Sequence, residues 1–349
     1  MLSAPKPLLI CFLLSAFSSG QEATNSKPTP ADAPQSVFAA AQVLLKHGKY
    51  DEAISRLQNL ATAKPVPSGL SGELGAAYYQ KGDYLKAIDS LKSAQAENPD
   101  DRESTQLLGL SYYLSGHPAE SIPYLERVQA WFPRANVDAS YILGVCYIQA
   151  RDYDHARKAF ATMYNVGPDS AAAYLFTARM LLRQEFDPVA EEYGKKAVAL
   201  DPNLPLAHFL LGELYLYKSR IPESVAEFQK ELTINPGHAA TYYKLGDANA
   251  RLQNWDEAEH LLQRSIWLDA TSTGPYILMG KVLLKKGEAE LAVRALRRAE
   301  TMDPANPMPH QLLGQAYREL GQAEDAEREL RMANQANSAQ ALHDTDPPK

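Results

Sequence analysis

Gly75-Ala-Ala-Tyr-Tyr-Gln-Lys-Gly-Asp-Tyr-Leu-Lys-Ala-Ile88 returns in recognisable form every 34 residues, with a single step of 35, through most of the chain. The repeat begins on a small residue: Ala41, Gly75, Gly109, Gly144, Ala178, Gly212, Gly246, Gly280 and Gly314. A large residue follows three places on, a small one nine further, and usually a proline twelve beyond that. A fixed period of this length specifies a stacked-repeat protein, in which each unit buries its apolar face only against its neighbours. Nine such units form one continuous core, so the 349 residues do not divide into the two or three domains that length alone would suggest. Helix formers dominate and no β-alternating run occurs, which predicts an all-α chain.

The pattern resembles the tetratricopeptide repeat (TPR) family, over roughly residues 34–338. The resemblance implies an α-solenoid of antiparallel helix pairs, A and B, stacked into a right-handed superhelix. The small residue then lets helix A approach its own helix B. Tyr78, Tyr112, Tyr147, Tyr215 and Tyr317 fill the space beside it. Gly48, Gly82, Gly116, Gly287 and Gly321 end helix A in a left-handed conformation. Ala53, Ala87, Ala156, Ala190, Ala258, Ala292 and Ala326 form the small contact on helix B. Pro65, Pro99, Pro133, Pro168, Pro202, Pro236 and Pro304 close helix B, because proline cannot continue a helix.

The first twenty residues read as a secretory signal peptide: Lys6, an apolar run from Leu8 to Phe17, and a small-residue end at Ser18-Ser19-Gly20. The run is too short for an ordinary membrane span, which needs about 20 residues. Residues 21–33 then read as a disordered polar linker and 339–349 as a disordered tail. Of the two cysteines, Cys11 leaves with the leader, and Cys146 occupies a small-residue packing slot. The mature chain therefore has no internal disulfide. Net charge is −7, or −8 once Lys6 is removed, which argues against nucleic acid as the partner. No polybasic segment addresses an anionic membrane.

Nothing in the chain supplies a catalytic constellation. The eight histidines are scattered without metal-ligand spacing, and no cofactor is expected. Gly274 to Val282 imitates a phosphate-binding loop, but its glycines are misplaced and Val282 stands where a Ser or Thr must hold magnesium. No Gly-x-Ser-x-Gly context activates a serine. The expectation is a non-enzyme.

The family resemblance places the A helices on a concave surface, through positions three before, one after and four after the packing residue, plus the end of the helix. Read from the sequence, this groove holds Tyr79, Leu110, Tyr113, Tyr141 and Ile148 in its first half. Arg179, Arg183, Tyr217, Arg251, Lys281 and Lys285 follow in the second. Tyr and Arg are the residues that most often anchor interfaces. The Lys and Asn pattern with which TPR co-chaperones grip a terminal carboxylate is absent: Phe38 with Gln42, Gly72 with Ala76 and Gln106 with Leu110 stand there. Two functions follow. The first is an exported scaffold that holds a peptide or protein, in bacterial envelope assembly or secretion. The alternative is a groove for a polysaccharide or small molecule. Self-association is left open. Repeat five departs from the others: Gly194 stands where its counterparts carry Leu or Phe, and Ala178 replaces glycine. An unfilled gap and a hinge between about residues 171 and 204 are expected there.

Overall fold

The computed structural model describes residues 34–62, 66–132, 137–184 and 187–345. The signal peptide, the linker and the closing prolines Pro65 and Pro133 lie outside the described residues. Eighteen α-helices and no strand occur among the described residues. They pair in chain order. Repeats one to three are α1 (Pro34–Lys46) with α2 (Tyr50–Leu60), α3 (Leu70–Lys81) with α4 (Tyr84–Glu97), and α5 (Arg102–Leu114) with α6 (Pro118–Trp131). Repeats four to six are α7 (Val137–Gln149) with α8 (Tyr153–Tyr164), α9 (Ala171–Arg183) with α10 (Asp187–Leu200), and α11 (Ala207–Tyr217) with α12 (Ile221–Ile234). The last three are α13 (Ala239–Arg251) with α14 (Trp255–Leu268), α15 (Thr273–Lys285) with α16 (Ala289–Met302), and α17 (Pro307–Glu319) with α18 (Ala323–Thr345).

The packing glycines do what the period requires of them. A Cβ on Gly75 would stand 2.5 Å from Leu91 Cγ, and one on Gly212 would stand 2.5 Å from Phe228 Cε1. Gly144 and Gly280 meet Phe160 and Leu296 at similar range. Leu91, Phe160, Phe228 and Leu296 are in turn wholly buried. The helix pair is thus a knob on B seated in a notch on A, and any side chain in the notch would push the pair apart.

Helix A ends in a left-handed residue whose amide closes the last turn. Gly82, at φ 85°, donates to Tyr79 O, and Asp83 donates to Tyr78 O. Three units place a non-glycine at the same step: Arg151, Ser219 and Gln253 have φ of 60°, 58° and 64°. Each pays a steric cost that glycine avoids. Helix B starts are capped by Asp83 in repeat two and Asp152 in repeat four, each accepting from a backbone amide three residues on. Where repeat seven lacks its proline, Asp269 closes α14 instead by accepting from the Thr271 amide and hydroxyl.

Successive A helices pack on one another, from α1 on α3 through to α15 on α17, except that α7 and α9 do not meet closely. Among the described residues, successive B helices do not pack closely on each other. A stack in which one row of helices touches and the other does not curves with the touching row inside, which puts the A helices on the concave side.

Two sequence expectations change. The gap at Gly194 does not exist: a Cβ there would lie 2.8 Å from Leu211 Cδ2 and 3.6 Å from Leu210 Cδ2, so the next A helix has filled the space. The same core cluster runs without interruption from Leu110 through Ala178, Ala190 and Tyr193 to Tyr215. The one loosened A-to-A joint falls earlier, between α7 and α9. Next to it, buried Arg157 ties α8 to the α8–α9 loop and α9, donating to Pro168 O and to Asp169 Oδ1 (2.7 Å), with its guanidinium 4.6 Å from the Tyr174 ring. The second change is at the C-terminus, where α18 continues to Thr345 rather than giving way to a disordered tail at 339. Ala, Gln and Leu favour helix there, and no Gly or Pro intervenes before Pro347.

Candidate functional site

Each A helix is enclosed on three sides, by its own B helix and by the repeats before and after. The face turned away from these neighbours carries a stripe of the residues one and five places after the packing residue, open to solvent in most repeats and closed at Leu110 and Val145. Those positions are a single helical turn apart and so share a face. In α9 they are Arg179 and Arg183, in α15 Lys281 and Lys285, and all four are exposed. In α11 and α13 the later one is Tyr217 and Arg251, also exposed.

The position four places on lies about 60° round the helix from the stripe, toward the neighbouring repeat. Two of the expected groove residues are buried, only the first of them because of this shift. Ile148, at this position in α7, is fully buried. Leu110 sits on the stripe itself, but at 2% exposure it too belongs to the core, in the cluster against which half-buried Tyr79, Tyr113 and Tyr141 pack. Neither can touch a partner while the stack is closed. The three tyrosines are half-buried and packed against the core. Burial pushes the Tyr79 hydroxyl up to about 12, with the ring of Tyr84 beside it at 5.9 Å. Burial raises Tyr113 likewise. Both stay neutral hydroxyls. Tyr217 differs in kind, with 70% of its surface exposed.

The stripe changes character along the stack. From α3 to α7 it carries Ala76, Gln80, Leu110, Leu114, Val145 and Gln149, without a charge. From α9 onward it is ionic. Glu213 pairs with Lys244 of the next A helix at 3.0 Å, and Asp247 pairs with Arg251 one turn along at 3.0 Å. Arg179, Arg183, Lys281 and Lys285 have no carboxylate partner among the described residues. Beside Lys281, the side chains of Ala250, Trp255, Leu278 and Val282 line a cavity of about 110 Å³ between α13 and α15. The sequence reading missed Gln80, Leu114 and Gln149 as stripe residues. The i, i+4 spacing from Ala76, Leu110 and Val145 was the available signal. It could not have revealed which cations are already neutralised, because the Glu213–Lys244 pair joins two repeats.

Other reactive groups are structural. Burial pushes the Cys146 thiol up to about 12, so it stays protonated. Glu300, His310 and Glu329 bring three potential metal ligands within 4.8 Å. Arg297 already supplies the positive charge there, 2.8 Å from Glu329 and 2.6 Å from Glu300. Repeat six builds a related buried pair, His208 with Glu227 at 2.5 Å. Both read as polar pins between helices.

Models of the tetratricopeptide repeat match residues 38–102, 112–180, 207–275 and 277–341. The chain belongs to the tetratricopeptide repeat family. No curated protein matches it in sequence. Among solved TPR structures, MamA from Desulfovibrio magneticus RS-1 is 20% identical, with a TM-score of 0.47 over 49% of this chain and 97% of that one. YrrB, described as a TPR protein with an unusual peptide-binding site, is 23% identical, with a TM-score of 0.46 over 54% of this chain and 97% of its own. PilF from Pseudomonas aeruginosa is 18% identical, with a TM-score of 0.46, covering 55% and 88%. No helix among the described residues is long and apolar enough to cross a membrane.

Proposed function

We propose that this TPR chain is a non-catalytic scaffold that seats a peptide or protein partner along the stripe of its A helices. The observation that carries the reading is the A-helix stripe on the concave side. It is uncharged over repeats two to four, where Leu110 and Val145 are buried, and open beyond, where Arg179, Arg183, Arg251, Lys281 and Lys285 outnumber Glu213, Asp247 and Glu319. The tetratricopeptide resemblance and the leader-like first twenty residues add the setting, an exported protein of a bacterial envelope serving assembly or secretion. The polysaccharide alternative relied on open tyrosine faces, and Tyr79, Tyr113 and Tyr141 are packed against the core. Tyr217 alone is a weak platform for sugar rings.

The test is affinity capture from the native envelope with the wild type and a Tyr217→Ser, Lys281→Ser, Lys285→Ser variant. All three side chains are exposed, so the fold should persist. A defined protein lost from the variant supports the scaffold. The same protein retained at full yield places binding elsewhere.

A further inference from the structure

The charge pattern of the stripe narrows the kind of partner segment, and this step rests on the scaffold reading above. The protein as a whole is acidic, with a formal net charge of −7. Its concave side in repeats five to nine is not. Two of the three acids on the stripe there are spent, Glu213 on Lys244 and Asp247 on Arg251, while Glu319 lies beyond the second doublet, on α17, where it accepts from Gln315. Cations elsewhere are often neutralised locally, as Lys218 and Arg220 are by Glu191. Arg179 with Arg183 and Lys281 with Lys285 are each one helical turn apart, exposed, and without a carboxylate among the described residues. Like charges four residues apart on a helix repel, so each doublet gains by meeting an anion.

The doublets lie on α9 and α15, three A-to-A steps apart, and each intervening pair of helices is in contact. Helices in contact lie about 8–10 Å apart, so the doublets are separated by roughly 24–30 Å. An extended chain rising about 3.3 Å per residue covers that with about eight residues. Between the doublets the stripe holds Glu213, Asp247 and Arg251, and Lys244 beside it balances the extra acid. Beside the second, a small cavity floored by Ala250, Trp255, Leu278 and Val282 and rimmed by Lys281 and the paired Asp247 and Arg251 has room for an aliphatic side chain.

We infer that the partner segment is an extended acidic peptide with two carboxylate clusters about eight residues apart, one held by Arg179 and Arg183 and the other by Lys281 and Lys285. Two-point charge recognition of this kind sets register and direction as much as affinity.

The probes are three fluorescein-labelled peptides, read by anisotropy at low salt on the full chain. The first has two Glu pairs with about six Ser and Ala residues between them, which sets the pair centres about eight residues apart. The second carries Gln for every Glu, and the third has its Glu pairs only two residues apart. Expected is binding of the first at least tenfold tighter than of the other two, weakening as salt rises. Arg179→Glu with Arg183→Glu, and separately Lys281→Glu with Lys285→Glu, should each reduce it at least tenfold. Thermal melts of both variants check that the fold persists. Absent binding of the first peptide, equal binding of the Gln peptide, or indifference to both charge reversals would overturn the acidic-segment inference. Equal binding of the short-spaced peptide would overturn the two-point span. Either failure leaves the scaffold reading standing if the native partner is still lost from the Tyr217, Lys281, Lys285 variant. It falls separately if that variant keeps it.

Discussion

Leu211 occupies the space above Gly194: a Cβ on the glycine would lie 2.8 Å from Leu211 Cδ2. In seven other repeats the bulky residue is on helix B and the notch is on helix A. In repeat five the notch is on helix B, and the next repeat supplies the bulk. The exchange binds repeat five to repeat six instead of loosening it. Gly194→Leu should therefore destabilise the protein by about 1–3 kcal/mol through overpacking. Leu211→Ala should cost about 2–5 kcal/mol through the cavity it leaves. The double variant should lose less than the sum, because the new leucine refills the site. Chemical denaturation of all three checks this. Strict additivity would show that the two positions do not share one space.

Gln253 ends α13 at φ 64°, a region where a Cβ crowds the backbone. Gln253→Gly should raise stability by about 0.5–1 kcal/mol, the relief of left-handed strain less the entropy that glycine adds to the unfolded chain. Ser219→Gly should do the same for α11. The measurement is the thermal midpoint of each single variant. A fall in either would mean that the side chain contributes more than its strain costs.

Glu191 ties α10 to the α11–α12 turn, accepting from Lys218 Nζ at 2.8 Å and Arg220 Nη1 at 3.1 Å. Burial disfavours its charge, yet the hydrogen bonds from Lys195, Lys218 and Arg220 outweigh that and hold the carboxyl at about 2, below its ordinary 4.5. A depressed folded value gives stability that is fully present above pH 4.5 and is lost as pH falls toward 2. Glu191→Gln should lower the melting temperature at neutral pH and have little effect near pH 2. A constant difference across that range would contradict the assignment.

Tyr79, Tyr113 and Tyr141 read from the sequence as exposed anchors, and truncating all three to Ala would then leave the melt nearly unchanged. In the structure they are half-buried and pack against the core cluster that contains Leu110. The triple Ala variant should lose several kcal/mol, since removing even a partly buried aromatic forfeits packing. Denaturant midpoints for each single variant decide it, and a loss below about 1 kcal/mol in the triple variant would return the three rings to the surface.

The repeat period made the architecture legible because the packing residue, the left-handed cap and the helix-B stop recur at fixed offsets, each with a steric cause. Gly75 and Leu91 can be paired from spacing alone. The replacement of a missing side chain by Leu211 could not be, since it comes from the following unit, 17 residues away. The candidate site was half legible for a related reason. Arg179, Lys281 and Tyr217 follow from helix phase. The burial of Leu110 and Ile148 depends on how closely neighbouring A helices approach, which one repeat does not encode.

The central claim is that partners meet the A-helix stripe and not the outer B helices. A photo-crosslinking residue placed singly at Tyr217, Lys281 or Trp267, which is 71% exposed on α14, tests it directly in cells of the native source. The account predicts the same discrete crosslinked protein from Tyr217 and Lys281 and none from Trp267. That protein crosslinking from Trp267 alone, or equally from all three, would contradict it.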